Sequence, residues 1–185
     1  MSEMQDTHRV SQGLNRFSVA LYEKLRHREG NIFYSPFSIY VSLAMLHAGA
    51  RGRTREEMAE ALNFAADHTA IGGSLGSLVR EVSAETGACE VGAARALWAE
   101  RGYRFAAEFV DQIRRSYDAD LYEVTFADGE ETAERINRWV GEKTSGKIGK
   151  IANPTMFAAL TRLVLTDAIH FRGLWKAPFR EKATS

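Results

Sequence analysis

The sequence has one cysteine, Cys89, and three prolines in 185 residues. A single cysteine excludes an internal disulfide framework and a cysteine-rich zinc site. So few prolines exclude a polyproline or collagen-like chain. No excess charge of either sign is present: 24 Lys and Arg stand against 24 Asp and Glu. A broad electrostatic footprint for nucleic acid is therefore not expected, and Arg114-Arg115 is too short a basic run to make one. No stretch approaches the ~18 consecutive apolar residues of a membrane span. The most apolar run, 37–50, is interrupted by Ser38, Ser42 and His47 and reads as a buried helix. The first ten residues contain no apolar leader segment, so no cleavable signal is expected there.

What remains is an ordinary globular composition, 45% hydrophobic and 26% charged. Leu14, Phe17, Leu21 and Leu25 recur at helical spacing, which predicts an amphipathic helix over roughly 10–27. Ile32-Phe33-Tyr34 reads as a short strand. Ser35-Pro36 supplies an N-cap and a proline at the first position of a helix over 36–48 that is apolar nearly all round. Thr54 and Glu57 form a capping-box pattern, opening a helix that turns Met58, Ala61 and Leu62 inward. Ile71, Leu75, Leu78 and Val82 predict a further helix, interrupted by Gly72, Gly73 and Gly76. Strands are expected at 93–98 and 121–126, with helices around Phe105, Phe109 and Ile113 and from Asp128 to Lys143. The longest strand candidate is 162–171. Leu163, Leu165, Asp167, Ile169 and Phe171 share one of its faces, and Val164, Thr166, Ala168 and His170 the other.

Two motifs suggest chemistry and fail on context. Gly72-Gly73-Ser74-Leu75-Gly76 matches the G-x-S-x-G nucleophile elbow, but no core strand leads into it. Its candidate partners, Asp167 and His170, point to opposite faces of one strand, whereas a triad aspartate must orient its histidine. Gly141 to Lys147 nearly matches a phosphate-binding loop. Ile148 stands where the magnesium-binding hydroxyl belongs, and the segment closes a helix rather than opening one. No two of the five histidines lie four apart on a helix, and no metal or other cofactor is implied. Asp167 is the residue that ordinary packing does not absorb. A carboxylate on an apolar strand face needs donors opposite it, and Ser35 and Ser38 are the expected ones.

Four segments, in order, resemble the serpin family. They are Asn31 to Ile39 with its S-P-F-S-I; Ala48-Gly49-Ala50-Arg51-Gly52 followed by Thr54 to Met58; Ile136-Asn137-Arg138-Trp139-Val140 with Thr144 and Gly146-Lys147-Ile148; and Leu163 to Trp175 with Phe179. The resemblance implies an α+β fold of N-terminal helices on a central mixed β-sheet. Residues 1–185 would be the N-terminal portion of a single domain, truncated before the reactive-centre loop. It implies a suicide inhibitor of serine or cysteine endopeptidases, not an enzyme. The protease partner would be engaged only if the loop-bearing half is present, on a longer chain or on a second chain completing the fold. The alternative is a non-inhibitory chaperone, carrier or storage protein. By resemblance Ser35, Ser38 and Asp167 belong to the shutter, where the sheet opens, and Trp175 to the breach at its top. The family has asparagine where this chain has Asp167, and an aromatic where it has His170. A heparin-type cofactor site, known on the helix of some relatives that matches 68–83, is not expected, because that stretch offers only His68 and Arg80. No nucleic-acid or membrane partner is implied. The family resemblance favours an extracellular location, with the cytoplasm as the alternative.

Overall fold

A computed structural model describes residues 2–64, 71–82, 89–175 and 177. The central element is β1 (Cys89–Glu100). It pairs in parallel with β2 (Asp120–Val124) and antiparallel with β3 (Leu163–Gly173), in the order β2-β1-β3. Parallel pairing needs a crossover, and α5 (Ala107–Tyr117) supplies it between β1 and β2. The remaining helices are α1 (Ser2–Leu25), α2 (Pro36–Gly49), α3 (Gly52–Ala61), α4 (Ile71–Val82) and α6 (Gly129–Lys143). Asp128 caps α6 by accepting from Glu131 N at 3.0 Å. The expected α+β architecture is what forms, with a mixed three-stranded sheet.

Alternation along β1 and β3 separates two cores. On one face Leu97, Leu163 and Leu165 meet Val41, Met45, Leu75 and Ile113 of the helical layer. On the other, Trp98, Ala96 and Ala168 meet Ile136, Trp139 and Val140 of α6. Trp98 stacks on Tyr122 and meets Trp139 edge-on, with ring centroids 4.8 and 5.9 Å away. Its indole N–H donates to Thr166 Oγ1 at 3.0 Å, which satisfies a buried donor. Asn137 ties down the loop after α6: its Oδ1 accepts from Ile151 N and Ala152 N, and its Nδ2 donates to Ala152 O. Thr144 Oγ1 donates to Val140 O at 2.7 Å and accepts from Ile148 N at 3.0 Å, and Gly146 takes a φ of 76°. The phosphate-loop-like segment is thus a helix terminus.

Several expectations are corrected. The strand expected at 32–34 does not form; no described strand pairs with it, and Phe33 is fully exposed. The helix α3 begins at Gly52 with Arg51 at its N-cap, so Thr54 lies inside the first turn and caps nothing. Within α3, Ala59 rather than Ala61 faces inward. The helix α2 is buried on most sides, as expected, with Ile39 and Leu46 on its outward face.

The glycines of α4 are explained by packing. A Cβ at Gly76 would collide with the carbonyl oxygen of Ser116 on α5, and one at Gly72 would press on Ser116 Oγ at 3.2 Å. Gly73 faces open space. Gly76→Ala should therefore destabilise the chain by about 1–3 kcal/mol through overpacking. Gly73→Ala should stabilise it by about 0.5–1 kcal/mol through helix propensity. Urea unfolding of both variants checks the pair, and equal effects would mean that α4 does not pack through this face.

Candidate functional site

The three strands carry few charges on their buried faces, and two of these meet. Arg95 and Asp167 are direct partners in the β1–β3 register. Arg95 Nε donates to Asp167 Oδ2 at 2.9 Å, with side chains only 2% and 7% exposed. Across them runs α2. Its N-cap, Ser35, and the proline that follows fix where the helix begins, which sets Ser38 and Ser42 one turn apart. Ser42 Oγ donates to Asp167 Oδ2 at 3.4 Å.

Ser35 was expected to donate to this carboxylate, but no hydrogen bond from it reaches Asp167 among those described. Its Oγ instead accepts from Ser38 N at 3.2 Å, satisfying an orphan donor of the first turn. Ser38 lies beside Asp167 and favours its ionised form, though the contact falls short of hydrogen-bond geometry. Ser38 Oγ, Asp167 Oδ1 and Arg95 Nη2 are all buried without a hydrogen-bond partner among the described residues. Burial pushes the Asp167 carboxyl above the usual carboxylate range, and the Arg95 guanidinium opposes the rise.

Arg95 is the participant that the sequence reading did not single out. The available signal was a lone cation in an alanine-rich strand, matched by a lone carboxylate in a second strand. The other predicted residues lie elsewhere. His170 is on the opposite face of β3, its ring over Gly92, where a side chain would collide with it. Ser74 is buried within α4, so it occupies no strand-to-helix elbow. Trp175 follows the end of β3 and is 70% exposed. Phe179 lies outside the described residues. Among the described residues no group of three or more His, Cys, Asp or Glu is placed to hold a metal, and no helix is long and apolar enough to cross a membrane.

A buried pair is strongly disrupted when one partner is removed. Arg95→Met should cost about 3–5 kcal/mol at neutral pH, because it strands the Asp167 carboxylate. A carboxyl whose pKa is raised on folding binds its proton more tightly in the folded chain. Its stabilising effect is therefore greatest in acid and is lost as pH rises through the folded pKa. The Arg95→Met deficit should accordingly shrink between pH 7 and pH 4. The double change with Asp167→Leu should recover to within about 1 kcal/mol of the native chain. Urea midpoints at the two pH values test this, and a deficit independent of pH would refute it.

The same arrangement of helices and strands occurs in known proteins. Residues 12–185 match the family described as serpin (serine protease inhibitor). A leukocyte elastase inhibitor of Bos taurus is 38% identical over 178 residues, covering 95% of this chain and 47% of that protein. An uncharacterised serpin-like protein of Thermococcus kodakarensis is 36% identical over 177 residues, covering 95% and 41%. The emu ovalbumin structure superposes with a TM-score of 0.86 at 27% identity, covering 95% of this chain and 50% of that one. The chain spans about half the length of these relatives. It belongs to the serpin family.

Proposed function

We propose that this chain forms the N-terminal framework of a serpin-type inhibitor of serine or cysteine endopeptidases. In this reading residues 1–185 belong to a single domain, and the reactive loop is supplied by sequence outside them, on a longer chain or on a second one. The protease attacks that loop as a substrate. At the acyl-enzyme stage the cut loop adds as a strand beside β3 and carries the protease with it.

The observation that carries the reading is the position of β3. It ends the sheet, and nothing among the described residues pairs with its outer edge. It is also eleven residues long, enough to template a strand of the same length. An edge of this kind invites pairing unless something covers it. The exposed apolar residues Phe171, Leu174 and Trp175 cluster at the same end of the strand. Ser35, Ser38 and Asp167 are assigned to the shutter, with Arg95 joined to them, and Trp175 to the breach.

A non-inhibitory role is the second reading. Likeness of fold does not discriminate, since ovalbumin and human thyroxine-binding globulin superpose with TM-scores of 0.86 and 0.84, as well as a cleaved serpin does at 0.85.

The test is to incubate the full-length protein containing these residues with trypsin-, chymotrypsin-, elastase- and papain-like proteases. An inhibitor should yield a covalent complex that survives denaturant, and residues 1–185 alone should yield none. Clean cleavage of the full-length protein with no complex by any protease would overturn the inhibitor reading in favour of the non-inhibitory one.

A further inference from the structure

A cleft of about 290 Å³ opens between the C-terminal end of α2, the start of α3, the start of α4 and α5. Its walls include His47, Arg51, Arg55, Glu108, Gln112 and Tyr117, and they are predominantly polar. Small-molecule pockets are usually mostly apolar. A neutral hydrophobic ligand therefore does not fit this one.

The two arginines are presented differently. Arg51 is anchored by the carbonyls that end α2: its Nη1 donates to Ala48 O at 3.0 Å and to Ala50 O at 2.9 Å. That anchorage fixes the guanidinium and leaves its other N–H groups unengaged by these two bonds. Arg55 lies in the first turn of α3, four residues after Arg51 at its N-cap, and both line the cleft. Its Nε is buried with no hydrogen-bond partner among the described residues. A buried donor left unpaired costs free energy that a ligand acceptor would relieve. Arg53, between them, instead pairs with Glu57 at 2.7 Å in an exposed ion pair. Neither Arg51 nor Arg55 forms an ion pair among the described residues. Glu108 is the one carboxylate in the wall, so two guanidinium charges face a single opposing one.

We propose that this cleft binds a phosphate group, free or carried on a small organic ester. The chemistry is that of charge-assisted donors converging on oxygen acceptors. Arg51, Arg55 and Gln112 approach from two different helices and a helix cap. A tetrahedral phosphate offers acceptors in those several directions, whereas a planar carboxylate offers them in one plane. The site lies on the helical layer and does not depend on the inhibitor reading.

Isothermal titration calorimetry of the chain with inorganic phosphate and with phenyl phosphate, at fixed ionic strength, tests the proposal. Phenol and sodium chloride serve as controls. Saturable binding of either phosphate is the expected result, and the tighter of the two identifies the source of the group. Arg55→Gln should weaken binding about ten-fold or more, as loss of a charge-assisted bond does. Glu108→Gln should strengthen it by removing the opposing charge, an effect that a merely structural role for the cleft would not produce. Binding of neither phosphate, or affinities unchanged in both variants, would overturn the proposal. Circular dichroism establishes that each variant is folded before it is titrated.

Discussion

The β1–β3 ladder is the constraint on which everything else depends. Its register runs without a break from Cys89 opposite Gly173 to Ala99 opposite Leu163. A slip of one residue would exchange the two faces of the sheet. It would carry Trp98 into the helical layer and aim Arg95 at α6. The ladder therefore decides which side chains belong to which core, and the helices then assemble on surfaces that the strands have already defined. The Arg95–Asp167 contact is compatible with a single register. A buried cation and a buried carboxylate that miss each other are both uncompensated, so the pair penalises every misalignment more heavily than any leucine contact could.

The features of this structure that were legible in the sequence are those governed by periodicity. The two faces of β3 could be read residue by residue, because alternation is a property of the strand alone. The cap at Asp128 and the amphipathic face of α6 were legible for the same reason: their signals lie close together along the chain. The anomaly of Asp167 was also visible. Its partner was not, because a cross-strand contact depends on register, and Arg95 is distant in sequence from the carboxylate that it meets. Ser35 was expected to donate to Asp167, whereas its hydroxyl accepts from the backbone of its own helix. The Thr54 capping box failed because Gly52 can begin a helix in a conformation that most residues resist, at φ 54°.

The glycine-rich segment at 72–76 shows how one pattern serves unrelated physics. In a nucleophile elbow the glycines permit a strained turn. Here they lie within a helix, where the absence of a side chain lets α4 approach Ser116 on α5. The pattern alone does not distinguish these uses; the residues that precede it do. The exposed apolar residues have a similar logic. Ile39 and Leu46 on α2, with Phe33 before it, leave an uncovered hydrophobic surface on a helix whose other face is fully packed.

The lengths of the strands have a mechanical consequence. The five residues of β2 lie against β1 only from Ala96 to Glu100, whereas β3 accompanies β1 from Cys89 onward. Among the described residues, one end of the sheet is thus three strands wide and the other is two strands wide. Two strands alone are marginal in water and depend on the helices packed against them. Arg95 and Asp167 occupy the last pair of the two-stranded end, immediately beside the point where the third strand joins. Opening that starts at the Cys89–Gly173 end first passes Glu90 opposite Arg172, then travels inward across Val91–Phe171, Gly92–His170, Ala93–Ile169 and Ala94–Ala168, none of which sets a cation against a carboxylate. It must then pull a buried guanidinium away from its carboxylate before it reaches the wider sheet. The buried ion pair thus sits at the fork where the third strand joins, and separating the strands there requires stripping a buried guanidinium from its carboxylate.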